Sequence, residues 1–345
     1  MIEIALASDA NYVCGLLVTA VTLARHASPS VSLRFNVLDG GIPDVAWNDF
    51  EAKVHAVHAN SVFRRLPVGD ARFAAFPEWN GRSRLTYARL LLPMLLADAD
   101  WVLYCDVDFL WCADVSELWS LRAPHALVLT TPDGTDSCRS LEEPWFHARG
   151  LPYACDGYFC AGLLMMNLAQ WRRLDVAGRV LAFLDAHPDV QFADQSALNA
   201  VLGAAPLAPD VENVKMLPAK WQKMSRFVTA DDIRRGCVLH YAGDTPWRRA
   251  WRTQPLTDLQ LIWHAVHGAL TGLDQRGSLC RFFPARDRVL RRTLFHLAAT
   301  PVARNLLFLV LRLTGRRGYV TWMKGCCRRF PVDELARRLM GGADA

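Results

Sequence analysis

Short, solidly apolar runs alternate with helical patterns through the first half of this chain, and that alternation narrows the fold more than any other feature. Residues 2–7, 33–38, 54–58, 101–105, 127–130 and 162–167 read as strands. Residues 13–25, 84–96, 174–187 and 195–202 read as helices. Strands without a polar face need cover on both sides, so the pattern predicts an α/β fold with a mostly parallel sheet and helices on both faces. In such sheets a ligand lies beyond the carboxyl ends of the strands, and the polar residues that follow each apolar run become the ones to weigh.

Composition narrows the class further. The 345 residues are 52% hydrophobic and 21% charged, ordinary for a globular chain long enough for one large domain and an appendage. The longest apolar stretch, residues 297–313, is broken by Pro301, Arg304 and Arg312 and is too short and too charged to span a bilayer. The N-terminus enters an apolar strand at once, with neither a basic segment nor a small-residue cleavage site, which predicts a cytoplasmic protein. The ten cysteines are scattered, without a C-x-x-C pair, and suit buried thiols better than a disulfide or zinc framework.

Three short segments carry chemistry. In Trp101-Val102-Leu103-Tyr104-Cys105-Asp106-Val107-Asp108-Phe109-Leu110 an apolar strand ends in two carboxylates one residue apart. Buried together they would lose solvation and repel each other, and a hard divalent cation such as Mg²⁺ or Mn²⁺ offsets both costs. A solvated strand-end turn is the plainer alternative. A haloacid-dehalogenase-type phosphatase also places such a pair after an apolar strand, but on its first strand, whereas this pair lies a hundred residues in. Ala7-Ser8-Asp9-Ala10-Asn11-Tyr12 ends the first strand; its polar groups could bind a base and ribose, or simply cap the next helix. Downstream, His240-Tyr241-Ala242-Gly243-Asp244-Thr245-Pro246-Trp247 follows an apolar run. His240 suits a third metal ligand and Gly243 a close backbone approach to phosphate, with a structural histidine as the alternative.

Taken in order, these segments resemble the retaining family 8 glycosyltransferases, the group of bacterial lipopolysaccharide galactosyl- and glucosyltransferases and glycogenin. Thr86-Tyr87-Ala88-Arg89-Leu90 looks like that family's Y-A-R-L helix. Tyr158-Phe159-Cys160-Ala161-Gly162 through Asn167-Leu168 to Trp171-Arg172 looks like its Y-F-N-[AS]-G stretch, and Asp194-Gln195-Ser196-Ala197-Leu198-Asn199 like its D-Q-D-x-L-N segment. The resemblance spans roughly residues 1–250 and implies a GT-A fold, a UDP-sugar donor and retention of anomeric configuration. It implies that Asp106, Asp108 and His240 hold Mn²⁺ (or Mg²⁺) on the diphosphate and that Asp9, Asn11 and Tyr12 read uridine. Ala7 and Val107 would add backbone contacts, while Arg89, Asp194 and Gln195 would face the transferred sugar. A front-face transfer, with a donor phosphate oxygen taking the acceptor's proton, fits better than attack by the weakly nucleophilic Gln195 amide.

Two departures stand out. Cys160 replaces the family's asparagine, and the His240 turn is one residue shorter and lacks the family's lysine, a cation that Arg248 or Arg249 could replace. Both admit a UDP-sugar-binding protein with impaired transfer as the alternative function.

The C-terminal part differs in kind. Residues 276–329 hold 13 basic residues and one acid, a net +12, so the rest of the chain carries −7 of the overall +5. Arginines there interleave with Phe, Leu, Trp and Tyr, as in segments that lie on anionic membranes. The expected organisation is a catalytic domain over 1–260 and a basic, aromatic helical region over 261–345 that associates with the inner face of a membrane. A lipid-linked saccharide, lipopolysaccharide among the choices, is the expected acceptor, and nucleic acid is not an expected partner.

Overall fold

The structure, a computed structural model, describes residues 1–69, 73–78, 83–133, 136–153, 157–243, 245–247, 256–313 and 327–341. The chain forms two compact units. The first comprises Met1–Leu16, Ala27–Val107 and Asp114–Trp221; the second comprises Leu17–His26, Asp108–Ala113 and Gln222–Ala345.

The first unit is built on a seven-stranded sheet: β1 (Ile2–Ser8), β2 (Leu33–Asp39), β3 (Ser61–Pro67), β4 (Trp101–Cys105), β6 (Ala126–Thr130), β7 (Leu163–Asn167) and β8 (Glu212–Met216), in the order β3-β2-β1-β4-β7-β6-β8. Pairs β1–β2, β2–β3, β1–β4 and β6–β8 are parallel; β7 alone runs against its neighbours. The predicted α/β class and mostly parallel sheet are what the structure has. The chain leaves β1 toward β2 and β3, then returns on the other side as β4. The reversal makes the carboxyl ends of β1 and β4 the topological switch point of the sheet, the place where ligands bind in open α/β sheets. One large apolar cluster, including Tyr104, Leu164, Met166, Trp171, Val180 and Leu198, packs against the sheet.

Three readings of local structure are corrected. Residues 54–58 are not a strand: they fall largely within helix α2 (Asp44–Val57), where Trp47, Phe50 and Val54 at helical spacing are buried together. The strand follows instead as β3. The predicted helix over 84–96 is a 3₁₀ helix at Arg84–Leu91 followed by a single α turn, α3 (Leu92–Leu95), with Pro93 in its first turn. Residues 132–156 were expected to form a long loop, yet they contain helix α5 (Asp136–His147), which follows the short α4 (Val115–Ser120). Pro144 hides its period, but Glu142, Trp145 and Phe146 recur at helical spacing and are buried. Helices α6 (Leu168–Arg173), α7 (Val176–Ala186) and α8 (Ala193–Leu202) complete this unit.

The second unit takes in α1 (Val13–His26) from Leu17 onward, and a small sheet of β5 (Phe109–Trp111), β10 (Val238–His240) and β9 (Lys223–Met224). Its helices are α9 (Ala230–Arg234), α10 (Asp258–Thr271), α11 (Gln275–Phe282), α12 (Ala285–Ala299), α13 (Pro301–Leu313) and α14 (Val332–Leu339). Helix α10 opens with a reciprocal cap between Thr257 and Gln260 and closes at Gly272, whose φ of 70° suits glycine. The apolar stretch around 297–313 is cut in two where α12 ends and Pro301 begins α13, and among the described residues no helix is long and apolar enough to cross a membrane.

Candidate active site

At the end of β1, the Asp9 carboxylate accepts hydrogen bonds from the backbone N–H groups of Asn11 (2.8 Å) and Tyr12 (3.2 Å). This ties the turn into α1, as a helix-entry carboxylate does, and occupies Oδ1. Asn11 is exposed, Tyr12 and Ala7 are half-buried, and Val107 is buried.

At the end of β4 the chemistry turns inward. The Asp106 Oδ1 accepts from the Tyr104 hydroxyl (2.8 Å) and from Arg89 (3.0 Å), and its backbone N–H donates to the Gly162 carbonyl. Arg89 is almost wholly buried. It pairs with Asp194 at 2.9 Å, donates to the Ala161 and Thr86 carbonyls, and lies over the Tyr104 ring at 4.2 Å. Burial pushes the Asp194 carboxyl above the usual carboxylate range, against the pull of Arg89 and of the Thr86 hydroxyl, which donates to it at 2.7 Å. The Arg89 guanidinium is held firmly protonated by the two carboxylates despite its burial. Arg89 thus braces two site carboxylates from beneath, a role its sequence position did not disclose.

Gln195, next along α8, has both ends of its amide engaged. Its Oε1 accepts from the Ala161 N–H at 2.9 Å and its Nε2 donates to Asp133 at 3.0 Å. Asn199, one turn on, clasps Phe159 through both its backbone N–H and its carbonyl at 2.9 Å. The Tyr158–Gly162 stretch and the start of α8 are therefore laced into one frame. Cys160 lies within it, buried, its backbone N–H donating to Thr131 and its carbonyl accepting from the Thr130 hydroxyl. Sequence reasoning missed Asp133 and Glu142, which lie in the stretch read as a loop. It quoted Tyr158 only as part of a motif.

In the small sheet, Asp108 and His240 meet. The His240 Nε2 is 3.2 Å from Asp108 Oδ1, the imidazole stacks on Phe109 at 4.1 Å, and the Tyr241 N–H donates to the Asp108 carbonyl. The antiparallel pairing of β5 and β10 sets this register, with His240 opposite Phe109. Asp106 is the next residue but one before Asp108. Asp106, Asp108 and His240 each offer a ligand atom, all within 4.8 Å of one another.

Two carboxylates and an imidazole are a donor set for Mn²⁺ or Mg²⁺ rather than for a thiophilic metal. The surroundings of His240 fit that use. Its Nδ1 faces the Gln222 Nε2 at 3.1 Å, while the buried Gln222 Oε1 accepts no hydrogen bond among the described residues. Turned over, the same amide would accept from Nδ1–H and leave the Nε2 lone pair for a metal, the usual arrangement behind a ligating histidine. Gly243, exposed in the following turn, has φ of 74° and nothing within 4 Å of where a Cβ would lie. Arg248 and Arg249, the expected substitutes for the missing lysine, lie outside the described residues.

A seven-stranded, mostly parallel sheet with acidic residues at its strand ends and a carboxylate–imidazole cluster beside them is the build of a GT-A-type glycosyltransferase. The sequence profile of glycosyl transferase family 8 matches residues 3–251, and the chain belongs to that family. It is 24% identical over 260 residues to the lipopolysaccharide glucosyltransferase WaaO of Escherichia coli (strain K12), covering 72% of this chain and 74% of that protein. It is also 24% identical to the lipopolysaccharide 1,3-galactosyltransferase of Salmonella typhimurium, over 74% of this chain and 75% of that protein. Among solved structures, the galactosyltransferase LgtC in complex with donor and acceptor sugar analogues superimposes with a TM-score of 0.62 at 27% identity, over 81% of this chain and all of LgtC.

Proposed function

We propose that this protein is a retaining hexosyltransferase that moves glucose or galactose from a UDP-sugar to a saccharide acceptor, a lipopolysaccharide core or another lipid-linked glycan. The observation that carries the reading is the cluster of Asp106, Asp108 and His240, in a chain of this family. Mn²⁺, or Mg²⁺, bound there would neutralise charge on the donor diphosphate as the nucleotide leaves.

The chain's own residues divide the remaining work. Asp106 and Asp108 supply hard oxygen ligands, and Arg89 holds Asp106 in orientation through its 3.0 Å hydrogen bond. Asp9, Asn11 and Tyr12, with the backbone at Ala7 and Val107, bind uridine. Gly243 lets the backbone approach the diphosphate. Asp194 and Gln195 line the sugar, the Gln195 amide being oriented by Ala161 and Asp133. Gln195 is a positioning contact in this scheme, because an amide oxygen is a weak nucleophile.

The C-terminal helices would bring the enzyme to its acceptor. On α13, Val302, Leu306 and Leu309 share one face and are exposed, and Val289, Leu290 and Leu297 are exposed on α12. Beside an excess of arginine this suits an anionic membrane surface, at the cytoplasmic face of the inner membrane.

UDP release from a panel of UDP-sugars, with Mn²⁺ and with EDTA, tests the reading. Release from one donor that requires the metal supports it and names the sugar. Metal-dependent UDP binding without release from any donor, with or without oligosaccharide acceptors, would favour the impaired binding protein that Cys160 allows.

A further inference from the structure

Behind Gln195 lies a carboxylate with no role in the transfer scheme. Glu142, on α5, is fully buried. Its Oε2 accepts from the Tyr158 hydroxyl at 2.9 Å and its Oε1 from the Ser196 hydroxyl at 2.8 Å. Ser196 in turn accepts from the Phe192 N–H at 2.8 Å, at the start of α8. The Tyr158 oxygen is 3.5 Å from the Gln195 Nε2. Glu142 therefore reaches the Gln195 amide through Tyr158, and reaches its backbone through the next residue of the helix.

We propose that Glu142 is a positioning residue for the sugar site: its carboxylate keeps both hydroxyls donating toward it, and its protonation releases the Gln195 amide. The inference deepens the transferase reading and rests on it for its catalytic consequence. Its physical basis is a count of protons. The ionised carboxylate accepts from both hydroxyls, so the Tyr158 oxygen offers a lone pair toward the Gln195 N–H. A protonated Glu142 must donate to one of them. Each oxygen already accepts one bond, Ser196 from the Phe192 N–H at 2.8 Å and Tyr158 from the Gln195 amide at 3.5 Å. The longer bond is the weaker, so Tyr158 is the hydroxyl that re-orients to accept from Glu142. Its own proton then points away from Glu142, toward Gln195, where two donors face each other and the amide gives way.

The groups facing Glu142 favour a switch near neutrality. Burial raises its pKa to about 7, the hydroxyls of Ser196 and Tyr158 pull it down, and the negative charge of Asp133 beyond β6 adds to the rise. From α8 the facing group is the neutral Ser196, and from the Tyr158–Gly162 stretch it is Tyr158.

The test follows the Gln195 side-chain amide by ¹⁵N NMR in the full chain, assigned by its loss in Gln195→Asn, beside ¹³C-carboxyl glutamate signals assigned with Glu142→Gln. The expected result is a Gln195 shift with the midpoint of the Glu142 titration. That shift is absent in Glu142→Gln and in Tyr158→Phe, although Glu142 still titrates in the latter. UDP release from the productive UDP-sugar should fall about tenfold as pH drops through that midpoint, the scale of one lost hydrogen bond. In Glu142→Gln it should stay at the low plateau without an inflection. A Gln195 amide that ignores pH between about 5.5 and 8.5, or that titrates unchanged in either variant, would overturn the proposal. Should Glu142→Gln fail to fold, Tyr158→Phe decides alone. Coupled amide and carboxyl titrations without UDP release from any donor would sink the transferase reading and leave Glu142's role standing; release without coupling would do the reverse.

Discussion

Around Arg89 the chain takes charge out of water and holds it with partners, whereas along α12 and α13 it leaves apolar side chains in water and stacks arginines on aromatic rings. Arg89 and Asp194 side chains are each 3% exposed and paired at 2.9 Å. Val302 on α13 is 82% exposed and Leu306 67%, while Arg292 lies over Phe295 at 4.3 Å and Arg291 over Phe283 at 4.5 Å. Buried charge of the first kind is poor stabilisation per residue, because desolvation offsets most of the attraction. In the proposed transferase it would serve to fix the Asp106 and Asp194 carboxylates. Exposed apolar surface of the second kind also adds little to folding; the proposed membrane association would give it a use. Neither region is what stability alone would select.

The comparison breaks most visibly at Arg89. Arg89→Met leaves Asp194 buried without its counter-charge and should cost about 3–5 kcal/mol in denaturant unfolding. A loss below about 1 kcal/mol would mean that the pair is solvated and the contrast with the tail is false. Next in size is the tail. Leu306→Glu with Leu309→Glu should weaken binding to phosphatidylglycerol vesicles by at least about tenfold, given ~1.5–3 kcal/mol per fully buried leucine. UDP release from soluble donor should be unchanged, and equal flotation of variant and parent would remove the membrane assignment. Gln222→Leu removes the group behind His240 and should lower Mn²⁺ affinity by about 10–100-fold, read by electron paramagnetic resonance of free Mn²⁺. Unaltered affinity would take Gln222 out of the metal site.

The smallest effect is on pH dependence. The folded-state pKa of Glu142 is raised, from 4.5 to about 7. The folded state thus binds the proton more tightly than the unfolded chain, so the contribution to stability is present below pH ~4.5 and lost as pH rises through ~7. The melting temperature of the parent relative to Glu142→Gln should therefore fall by a few degrees between pH ~5 and ~8. A constant difference would show that Glu142 does not titrate in this range.

How far the sequence disclosed all this depended on whether a residue's role is local. Strands β1, β4, β6 and β7 were legible because each is a short, mainly apolar run, β2 because Leu33, Phe35 and Val37 alternate into Leu38, and the Asp106/Asp108 pair because it directly follows β4. Residues 54–58 were misread because the buried positions of α2, Trp47, Phe50 and Val54, are few and its end is apolar. Helix α5 was lost to Pro144 and to the polar residues before it. The partners of Arg89, Gln195 and Glu142 lie far away in sequence: Asp194 for Arg89, Asp133 for Gln195, Ser196 for Glu142. No periodicity records such pairings: the family resemblance put Arg89 at the sugar, and nothing in its local sequence showed that it braces two carboxylates.

In the proposed enzyme Asp106, Asp108 and His240 form a cation site that holds a nucleoside diphosphate. Calorimetric titration of UDP into the full chain, with Mn²⁺ and with EDTA, for the parent and Asp108→Ala, tests it most directly. UDP should bind only with Mn²⁺ present, and about 10²-fold or more weakly in Asp108→Ala, the scale for removing one charge-stabilising group. Equal UDP affinity with and without the metal, or in parent and variant, would contradict it.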